Sequence, residues 1–183
     1  MLNYIKGELQ FFKMGDFLMI HTAVITISDK GWAGLREDGT GPAIIKEIEN
    51  KGYIIDYYKV IPDDQKMIQD ELIYLSDEKE INLILTNGGT GFSKRDVTPE
   101  ATRNIIDKYV PGFGEVMRAK SMEITPRAML SRAISGIRKN TLIINLPGSP
   151  KGAVENLQFI LPAIPHGILI LTGEASECAE QKK

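Results

Sequence analysis

Short apolar strands alternate with amphipathic helical segments along most of this chain, and this alternation restricts the folds open to it. Thr22–Ile27 is β-branched and almost entirely apolar, which is typical of a strand buried on both faces of a parallel sheet. Tyr53–Ile61 and Leu83–Thr86 are predicted as further strands, with a helix between each pair. Because alternating strands and helices favour parallel pairing, the sequence predicts one doubly wound domain of class α/β.

The helices carry recognisable start signals. One helix is predicted to begin at Pro42, after a polar, glycine-rich loop, and a second helix contains the apolar positions from Met67 to Leu75. Thr98 is predicted to N-cap a third helix, with Pro99 at its first position. The remaining predicted elements are a helix around Met117, a hairpin or two sheet strands at Ile134–Ile137 and Thr141–Asn145, a helix marked by Val154, Leu157 and Leu161, and a last apolar segment at Ile168–Leu171.

The chain divides into an N-terminal arm (1–20), an α/β domain (21–176) and a C-terminal tail (177–183). Charges interrupt every apolar stretch of the arm, so it lacks the run of about 7–15 apolar residues of a signal peptide and the run of about 20 of a spanning helix. We therefore expect an arm that is disordered or lies on a partner subunit. The single cysteine, Cys178, cannot form an internal disulfide, which favours a reducing compartment and a cytoplasmic location.

The charge balance gives no general attraction to polyanions. Lysine and arginine number 22 against 24 aspartate and glutamate residues, for a net charge of −2. Nucleic acid and anionic membrane surfaces are bound mainly through an excess of positive charge, so neither is expected as a partner. Any anionic ligand must therefore be held by a local site.

A glycine-rich loop after the third predicted strand is a candidate for such a site. Gly88, Gly89 and Gly91 fall within four residues, and glycines allow positive φ angles that turn backbone N–H groups toward an anion. The helix that follows would add the positive end of its dipole. The alternative is a tight strand-to-helix turn with no ligand. Neither the P-loop pattern nor the dinucleotide-binding fingerprint is present in the sequence.

Asp96 lies in the same loop and changes its chemistry. A carboxylate repels a phosphate unless a cation lies between them, and Mg²⁺ usually binds one or two carboxylates together with substrate phosphates. Asp63-Asp64, at the end of the second strand, can supply the second carboxylate. The alternatives are that Asp96 pairs with Arg95 or caps a helix, and that Asp63 or Asp64 caps the next helix. Two aspartates, Mg²⁺ and a glycine nest predict phosphoryl or nucleotidyl transfer.

A second loop, Leu146–Gly152, also lies between a predicted strand and a predicted helix. Its prolines stiffen the backbone, and Gly148 permits the close approach of a flat ligand. The alternative is a rigid connection. The two histidines have no partners at metal-ligand spacing, so we expect them to be structural.

These loops together resemble the MogA/MoaB family of molybdenum-cofactor biosynthesis proteins, the molybdopterin adenylyltransferases. The resemblance covers roughly residues 21–171. The matching pieces, in the order of the family, are Ser28-Asp29, Ile61-Pro62-Asp63-Asp64-Gln65, Gly88-Gly89-Thr90-Gly91, Arg95-Asp96-Val97-Thr98-Pro99-Glu100, Pro111-Gly112-Phe113-Gly114-Glu115, Ala128-Met129-Leu130-Ser131-Arg132 and Asn145-Leu146-Pro147-Gly148-Ser149-Pro150-Lys151-Gly152. The resemblance implies a three-layer α/β/α domain with a mostly parallel sheet, which assembles as a trimer, with a hexamer as the larger possibility. It also implies Mg²⁺-dependent transfer of AMP from ATP to the terminal phosphate of molybdopterin, with pyrophosphate released and the product passed to a metal-insertion enzyme.

The resemblance also implies roles for individual residues. Asp63 and Asp96 become the essential acidic residues and the metal ligands. Gly88–Gly91 and Ser93 would hold nucleotide phosphates, and Ser131 with Pro147–Pro150 would border the pterin pocket. The full set of expected ligand-binding residues is Ser28, Asp29, Gly88, Gly89, Thr90, Gly91, Ser93, Thr98, Ser131, Pro147, Gly148, Ser149 and Pro150.

Two other functions stay open at this point. The first is a family member that binds molybdopterin with weak or no catalysis, a MoaB-like function that the short segment after Leu171 favours. The second is a nucleotide hydrolase of the competence-damage type, against which Arg95-Asp96 argues, because a second acid is expected in place of Arg95. The sequence also leaves molybdenum and tungsten undistinguished.

Overall fold

A six-stranded sheet runs through the centre of the structure, a computed structural model that describes residues 3–5, 8–10, 19–49 and 51–173. Two short strands, β1 (Asn3–Ile5) and β2 (Glu8–Gln10), form a separate antiparallel pair within the predicted arm. Most of the rest of the arm and the whole predicted tail lie outside the described residues. The central strands are β3 (Ile20–Ile27), β4 (Tyr53–Ile61), β5 (Leu83–Asn87), β6 (Lys108–Tyr109), β7 (Ser135–Arg138) and β8 (Thr141–Leu146).

Helices cover both faces of this sheet. They are α1 (Asp29–Trp32), α2 (Thr40–Ile48), α3 (Gln65–Asp77), α4 (Thr98–Ile105), α5 (Pro111–Met122), α6 (Pro150–Ile160) and α7 (Ile164–Thr172), with 3₁₀ turns at Pro126–Leu130 and Leu161–Ala163. One apolar cluster joins α2, α5, α6 and α7 to one face, and a second joins α3 and α4 to the other. Along β3, Val24 faces the first cluster while Ala23 and Ile25 face the second, so this strand is buried on both sides. The predicted three-layer α/β/α architecture is therefore confirmed.

The strand order places a crevice at one edge of the sheet. The order is β4-β3-β5-β8-β7-β6. Strands β4, β3, β5 and β8 are parallel to one another, whereas β7 pairs antiparallel with both β8 and β6. After β3 the chain crosses to β4 on one side, and after β4 it crosses back to β5 on the other side of β3. Ligands of open α/β sheets bind at such a switch point, beyond the carboxyl ends of the strands. The loops after β3, β4 and β5 all end there.

Some element boundaries differ from the sequence-based predictions. Helix α2 begins at Thr40 rather than Pro42, and the preceding polar loop contains α1. Thr98 does not cap α4, because its hydroxyl donates to the carbonyl of Gly88 and the N-cap residue is Val97. The sequence analysis also missed β6, an edge strand of two residues that pairs with β7.

The helical stretch Pro150–Thr172 is long and apolar enough to cross a membrane by length and composition alone. Its residues Ala153, Leu157, Ile164 and Ile168 are fully buried in the first apolar cluster. A core helix of a soluble domain passes the same test of composition, so this stretch is weak evidence for a membrane span.

Arg138 connects three elements at the end of the sheet opposite the crevice. Its Nε and Nη2 donate to the two carboxylate oxygens of Asp77 at 3.0 and 2.6 Å, and its Nη1 donates to the Ile105 carbonyl at 2.8 Å. These bonds tie β7 to the ends of α3 and α4. The Arg138 guanidinium also lowers the pKa of Asp77 below its ordinary value.

Replacing this arginine is expected to destabilise the fold in a pH-dependent way. Arg138→Met removes two charge-assisted bonds and one bond to a carbonyl, so the free energy of unfolding should fall by about 2 kcal/mol at pH 7. Because the pKa of Asp77 is lowered by folding, its contribution is present above about pH 4 and is lost as the pH falls through the lower folded pKa. Urea unfolding of both proteins at pH 7 and pH 3 should therefore show a smaller difference at pH 3. An equal difference at both pH values would mean that packing, and not the ion pair, carries the effect.

Candidate functional site

A cleft of about 590 Å³ lies beyond the carboxyl ends of β3, β4 and β5, and we call it the main cleft. It is lined by loop residues that follow each of these strands and by the loop after β8. Its lining residues include Ser28, Arg36, Asp38, Asp63, Gly88 and Asp96. The cleft therefore lies where the strand order predicts a ligand site.

The glycine-rich loop packs directly against the backbone of β3. Gly88 and Gly89 have φ angles of +95° and +61°, so the predicted positive φ is confirmed at these two glycines but not at Gly91. A Cβ on Gly88 would lie 2.3 Å from the carbonyl oxygen of Ile27, so no larger residue fits. The buried Thr98 hydroxyl donates to the Gly88 carbonyl at 2.9 Å and holds the turn from the other side.

Arg132 stabilises the rest of the loop. Its backbone N–H donates to the Thr90 carbonyl at 3.0 Å, and its Nε and Nη2 donate to the carbonyls of Gly91 and Asp96, both at 2.7 Å. It also forms an ion pair with Glu100 on α4. No role for Arg132 was predicted from the sequence, although it belongs to one of the motifs of the family resemblance. The sequence could have pointed to Arg132 only through its place beside Ser131. Its contacts could not be foreseen, because they join residues about 40 positions apart in the chain.

The two neighbouring aspartates after β4 have different roles. Asp64 N-caps α3, since its Oδ1 accepts the N–H of Met67 at 2.9 Å. Asp63 does not cap the helix, because its Oδ2 accepts the N–H of Asp29 at 2.8 Å. Its Oδ1 approaches the glycine loop, where a Cβ on Gly89 would lie 3.1 Å away. Of the two, Asp63 is therefore the one that faces the cleft.

Asp96 approaches the same loop from its other end. Its Oδ2 accepts the N–H of Ser93 at 2.9 Å, and a Cβ on Gly91 would lie 2.9 Å from this oxygen. Asp96 does not pair with Arg95, whose guanidinium binds Asp29 instead. It does not cap α4 either. Both alternatives considered for Asp96 from the sequence are therefore excluded.

The charges in this corner are arranged asymmetrically. Partial burial raises the pKa of Asp63, and repulsion from the Asp29 and Asp96 carboxylates adds to the rise. The Arg95 guanidinium lowers the pKa of Asp29 through paired hydrogen bonds. A cation placed beside Asp63 would therefore favour the charged form of its carboxyl group.

Asp63 and Asp96 fit a Mg²⁺ ion that is bound partly by its substrate. Among the described residues, no group of three or more acidic, histidine or cysteine side chains converges into a metal cage. Mg²⁺ is commonly held by one or two carboxylates, with waters and phosphate oxygens completing its octahedron. Asp63 and Asp96, which border the glycine-rich loop from its two ends, match that requirement.

Asp38 is a functional candidate that the sequence analysis missed. Burial opposes its ionisation, but hydrogen bonds from Thr26, Tyr58 and the N–H groups of Thr40 and Gly41 outweigh it and lower the pKa of Asp38. The Thr26 and Tyr58 hydroxyls donate to Oδ2 at 2.5 and 2.7 Å. The position of Asp38 just before α2 was its only signal. Arg36, also missed, is the one cationic side chain among the described residues that line the main cleft.

A second cavity of about 340 Å³ adjoins the main cleft. Thr90 and Gly91 line the second cavity, whereas Gly88 and Gly89 line the main cleft, so the glycine loop separates the two. Ser149 lines both cavities. Polar and charged side chains that line the second cavity include Arg118, Ser121, Arg127, Ser131, Glu155 and Asn156.

The predicted site residues divide into three groups. The main cleft is lined by Ser28, Asp63, Gly88, Gly89, Asp96, Gly148, Ser149 and Pro150. The second cavity is lined by Thr90, Gly91, Ser131, Pro147 and Ser149. Asp29, Ser93 and Thr98 line neither. Thr98 is fully buried beneath Gly88, and Asp29 is engaged by Arg95 and Asp63.

Comparison with known proteins gives consistent matches. The family described as probable molybdopterin binding domain matches residues 23–166. The molybdopterin adenylyltransferase of Helicobacter pylori is 40% identical over 166 residues, which cover 88% of this chain and 93% of the relative. The molybdopterin adenylyltransferase of Escherichia coli K12 is 40% identical over 163 residues, which cover 81% of this chain and 80% of the relative. The structure of the molybdopterin biosynthesis enzyme MoaB from Thermus thermophilus is 46% identical, with a TM-score of 0.81 over 85% of this chain and 98% of that one.

The close approach at Gly88 predicts a strong effect of the smallest possible substitution. Gly88→Ala adds a methyl group to a left-handed residue that already touches the Ile27 carbonyl, so the free energy of unfolding should fall by at least about 3 kcal/mol. Gly112→Ala is the matched control, since its Cβ meets nothing within 4 Å. It should change stability by less than about 1 kcal/mol. Urea unfolding measures the stability of both variants. Equal unfolding midpoints for Gly88→Ala and Gly112→Ala would contradict the role assigned to Gly88.

Proposed function

This chain belongs to the family of probable molybdopterin-binding domains, and we propose that it transfers AMP from ATP to the terminal phosphate of molybdopterin, releasing pyrophosphate. The predicted resemblance to the MogA/MoaB family is confirmed. Relatives about 40% identical over most of the chain are named molybdopterin adenylyltransferase, which supports this activity over a hydrolase or a binding module.

The observation that carries the proposal is the pair of adjoining cavities. A group transfer between two ligands requires both to lie within bonding distance of one another. The main cleft and the second cavity share Ser149 and lie on the two sides of the glycine loop. We assign the nucleotide to the main cleft and the pterin to the second cavity, which Ser131 and Pro147 border. The phosphates of the two substrates then meet at the loop.

Chain groups at the loop are suited to phosphate. The N–H of Gly88 is already paired with the Leu146 carbonyl at 3.3 Å, so the donors assigned to phosphate are those of Gly89–Gly91. Asp63 and Asp96 would hold Mg²⁺. When bound, Mg²⁺ supplies positive charge that neutralises the triphosphate and the departing pyrophosphate.

The transfer itself requires little proton chemistry. A phosphate oxygen of molybdopterin forms a bond to the α-phosphorus of ATP, and the bond from that phosphorus to the pyrophosphate oxygen breaks. Because the attacking phosphate is already anionic near neutral pH, no general base is needed. The protein therefore acts by orienting both phosphates and by stabilising charge. The trimer or hexamer and the transfer of product to a metal-insertion enzyme follow from the family resemblance and stay predictions. The cytoplasmic location, inferred from the single cysteine, also stays a prediction.

One incubation separates the candidate activities. Purified protein with ATP, Mg²⁺ and molybdopterin should form adenylylated pterin and pyrophosphate in equal amounts. Binding of molybdopterin without product would instead identify a binding module. Release of AMP or pyrophosphate without any modified pterin would identify a nucleotide hydrolase.

Neighbouring aspartates provide a matched test of the metal ligands. Asp63→Asn and Asp96→Asn keep the side-chain shape but remove a negative charge, so kcat for adenylylation should fall by about 100-fold or more. Asp64→Asn should leave kcat within about twofold, because asparagine caps a helix as well as aspartate does. Steady-state kinetics at saturating Mg²⁺ measures all three variants, with circular dichroism as the check on folding. Full activity of Asp63→Asn or Asp96→Asn would refute the role of that residue.

A further inference from the structure

We propose that Arg95 is a positioning residue whose ion pair with Asp29 sets the separation of Asp63 and Asp96; the proposal rests on the proposed function in taking these two aspartates as the metal ligands. Asp29 was expected from the family resemblance to bind ligand, and Arg95 was considered as a partner for Asp96 and as a residue that argues against a hydrolase. We call the contact between Arg95 and Asp29 the clasp.

The clasp has the geometry of a specific contact. Arg95 Nε donates to Asp29 Oδ2 and Arg95 Nη2 donates to Asp29 Oδ1, both at 2.9 Å. Paired bonds of this kind fix orientation as well as distance, which a single bond to a lysine does not. The two residues are 66 positions apart, so the contact joins the loop after β3 to the glycine-rich segment after β5.

Asp29 passes this constraint to Asp63 through the backbone. The N–H of Asp29 donates to Asp63 Oδ2 at 2.8 Å, and the N–H of Asp63 donates to Asp29 Oδ1 at 3.0 Å. Asp29 Oδ1 therefore accepts from both Arg95 and the Asp63 backbone. Any movement of the clasp displaces the loop that carries Asp63.

The other end of the clasp adjoins Asp96 in the chain. Asp96 is anchored separately, because its carbonyl accepts from Arg132 and its side chain accepts from the Ser93 N–H. Arg95 thus extends from an anchored segment, and its bonds to Asp29 hold the segment after β3 at a set distance from Asp96. Two carboxylates near each other repel, so a connection of this kind is needed to keep both in place for a metal with strict octahedral geometry.

The location of the clasp argues against direct ligand contact. Neither Arg95 nor Asp29 lines the main cleft or the second cavity as described by the structure. Their side chains are 59% and 44% exposed, and an ion pair this exposed contributes little to global stability. Removing it should therefore change the geometry of the site more than the stability of the fold.

The test compares two arginine–aspartate pairs of the same kind. Arg95→Met and Arg95→Lys disrupt the clasp, and Arg138→Lys disrupts the equivalent paired contact with Asp77 at the opposite end of the sheet. Mn²⁺ binding is followed by electron paramagnetic resonance in the presence of α,β-methylene-ATP, which cannot transfer its AMP group. Adenylylation of molybdopterin is measured in parallel, together with urea unfolding.

For Arg95→Met we expect Mn²⁺ affinity and kcat each to fall about tenfold or more, with KM for ATP changed less than about threefold. Arg95→Lys should recover only part of the loss, since lysine restores the charge but not the paired geometry. Arg138→Lys should leave Mn²⁺ affinity within about twofold and affect only the unfolding midpoint. Adding Asp29→Asn to Arg95→Met should cause little further loss, because both changes break the same contact.

The contrary outcomes are distinct. A large rise in KM for ATP with unchanged Mn²⁺ affinity would make Arg95 a phosphate-binding residue and overturn the proposal. Unchanged kinetics and metal binding would reduce the clasp to a surface contact, and a wild-type protein that binds no Mn²⁺ would also overturn it. If the wild-type protein binds Mn²⁺ but forms no adenylylated pterin, the proposed function fails while the ratio of Mn²⁺ affinities still tests the clasp.

Discussion

The site depends on the close approach of Gly88 to the end of β3. A Cβ at Gly88 would lie 2.3 Å from the Ile27 carbonyl, and one at Gly148 would lie 3.1 Å from the Gly88 Cα. Three strand ends therefore meet around a backbone without side chains, with the buried Thr98 hydroxyl bonded beneath it. This packing brings the loops after β3, β5 and β8 within reach of one ligand, and it leaves the glycine loop as the boundary between two cavities.

Electrostatics impose a second constraint, because the main cleft is lined by Glu37, Asp38, Asp63 and Asp96 against a single arginine, Arg36, among the described residues. The chain as a whole carries a net charge of −2. Such a surface repels anions, so an anionic ligand in the main cleft would depend on backbone N–H groups and on positive charge brought there by a cation. The clasp fits this arrangement, since the Arg95 guanidinium neutralises Asp29, a further carboxylate beside Asp63.

The sequence was most informative where chemistry is local. The β-branched strands and the positive φ angles at Gly88 and Gly89 follow from single residues or short patterns, and the structure confirms them. The prediction that Thr98 caps α4 was wrong, although the Thr-Pro pattern was present, because the hydroxyl had a buried partner in Gly88. Local propensity is overridden wherever a tertiary contact satisfies the same group better.

The sequence by itself determined the alternation of the main strands and helices, the α/β class, the glycine loop and the two candidate acids, but it did not reveal the short elements α1 and β6. Only the tertiary structure decided that Asp63 faces the cleft while Asp64 caps α3, that Arg95 binds Asp29 rather than Asp96, and that Asp38 and Arg132 belong to the site. The physical reason is the distance along the chain over which each kind of interaction acts. Propensity and spacing act over a few residues, whereas these side chains choose partners from strands and loops that the sheet brings together from distant parts of the chain.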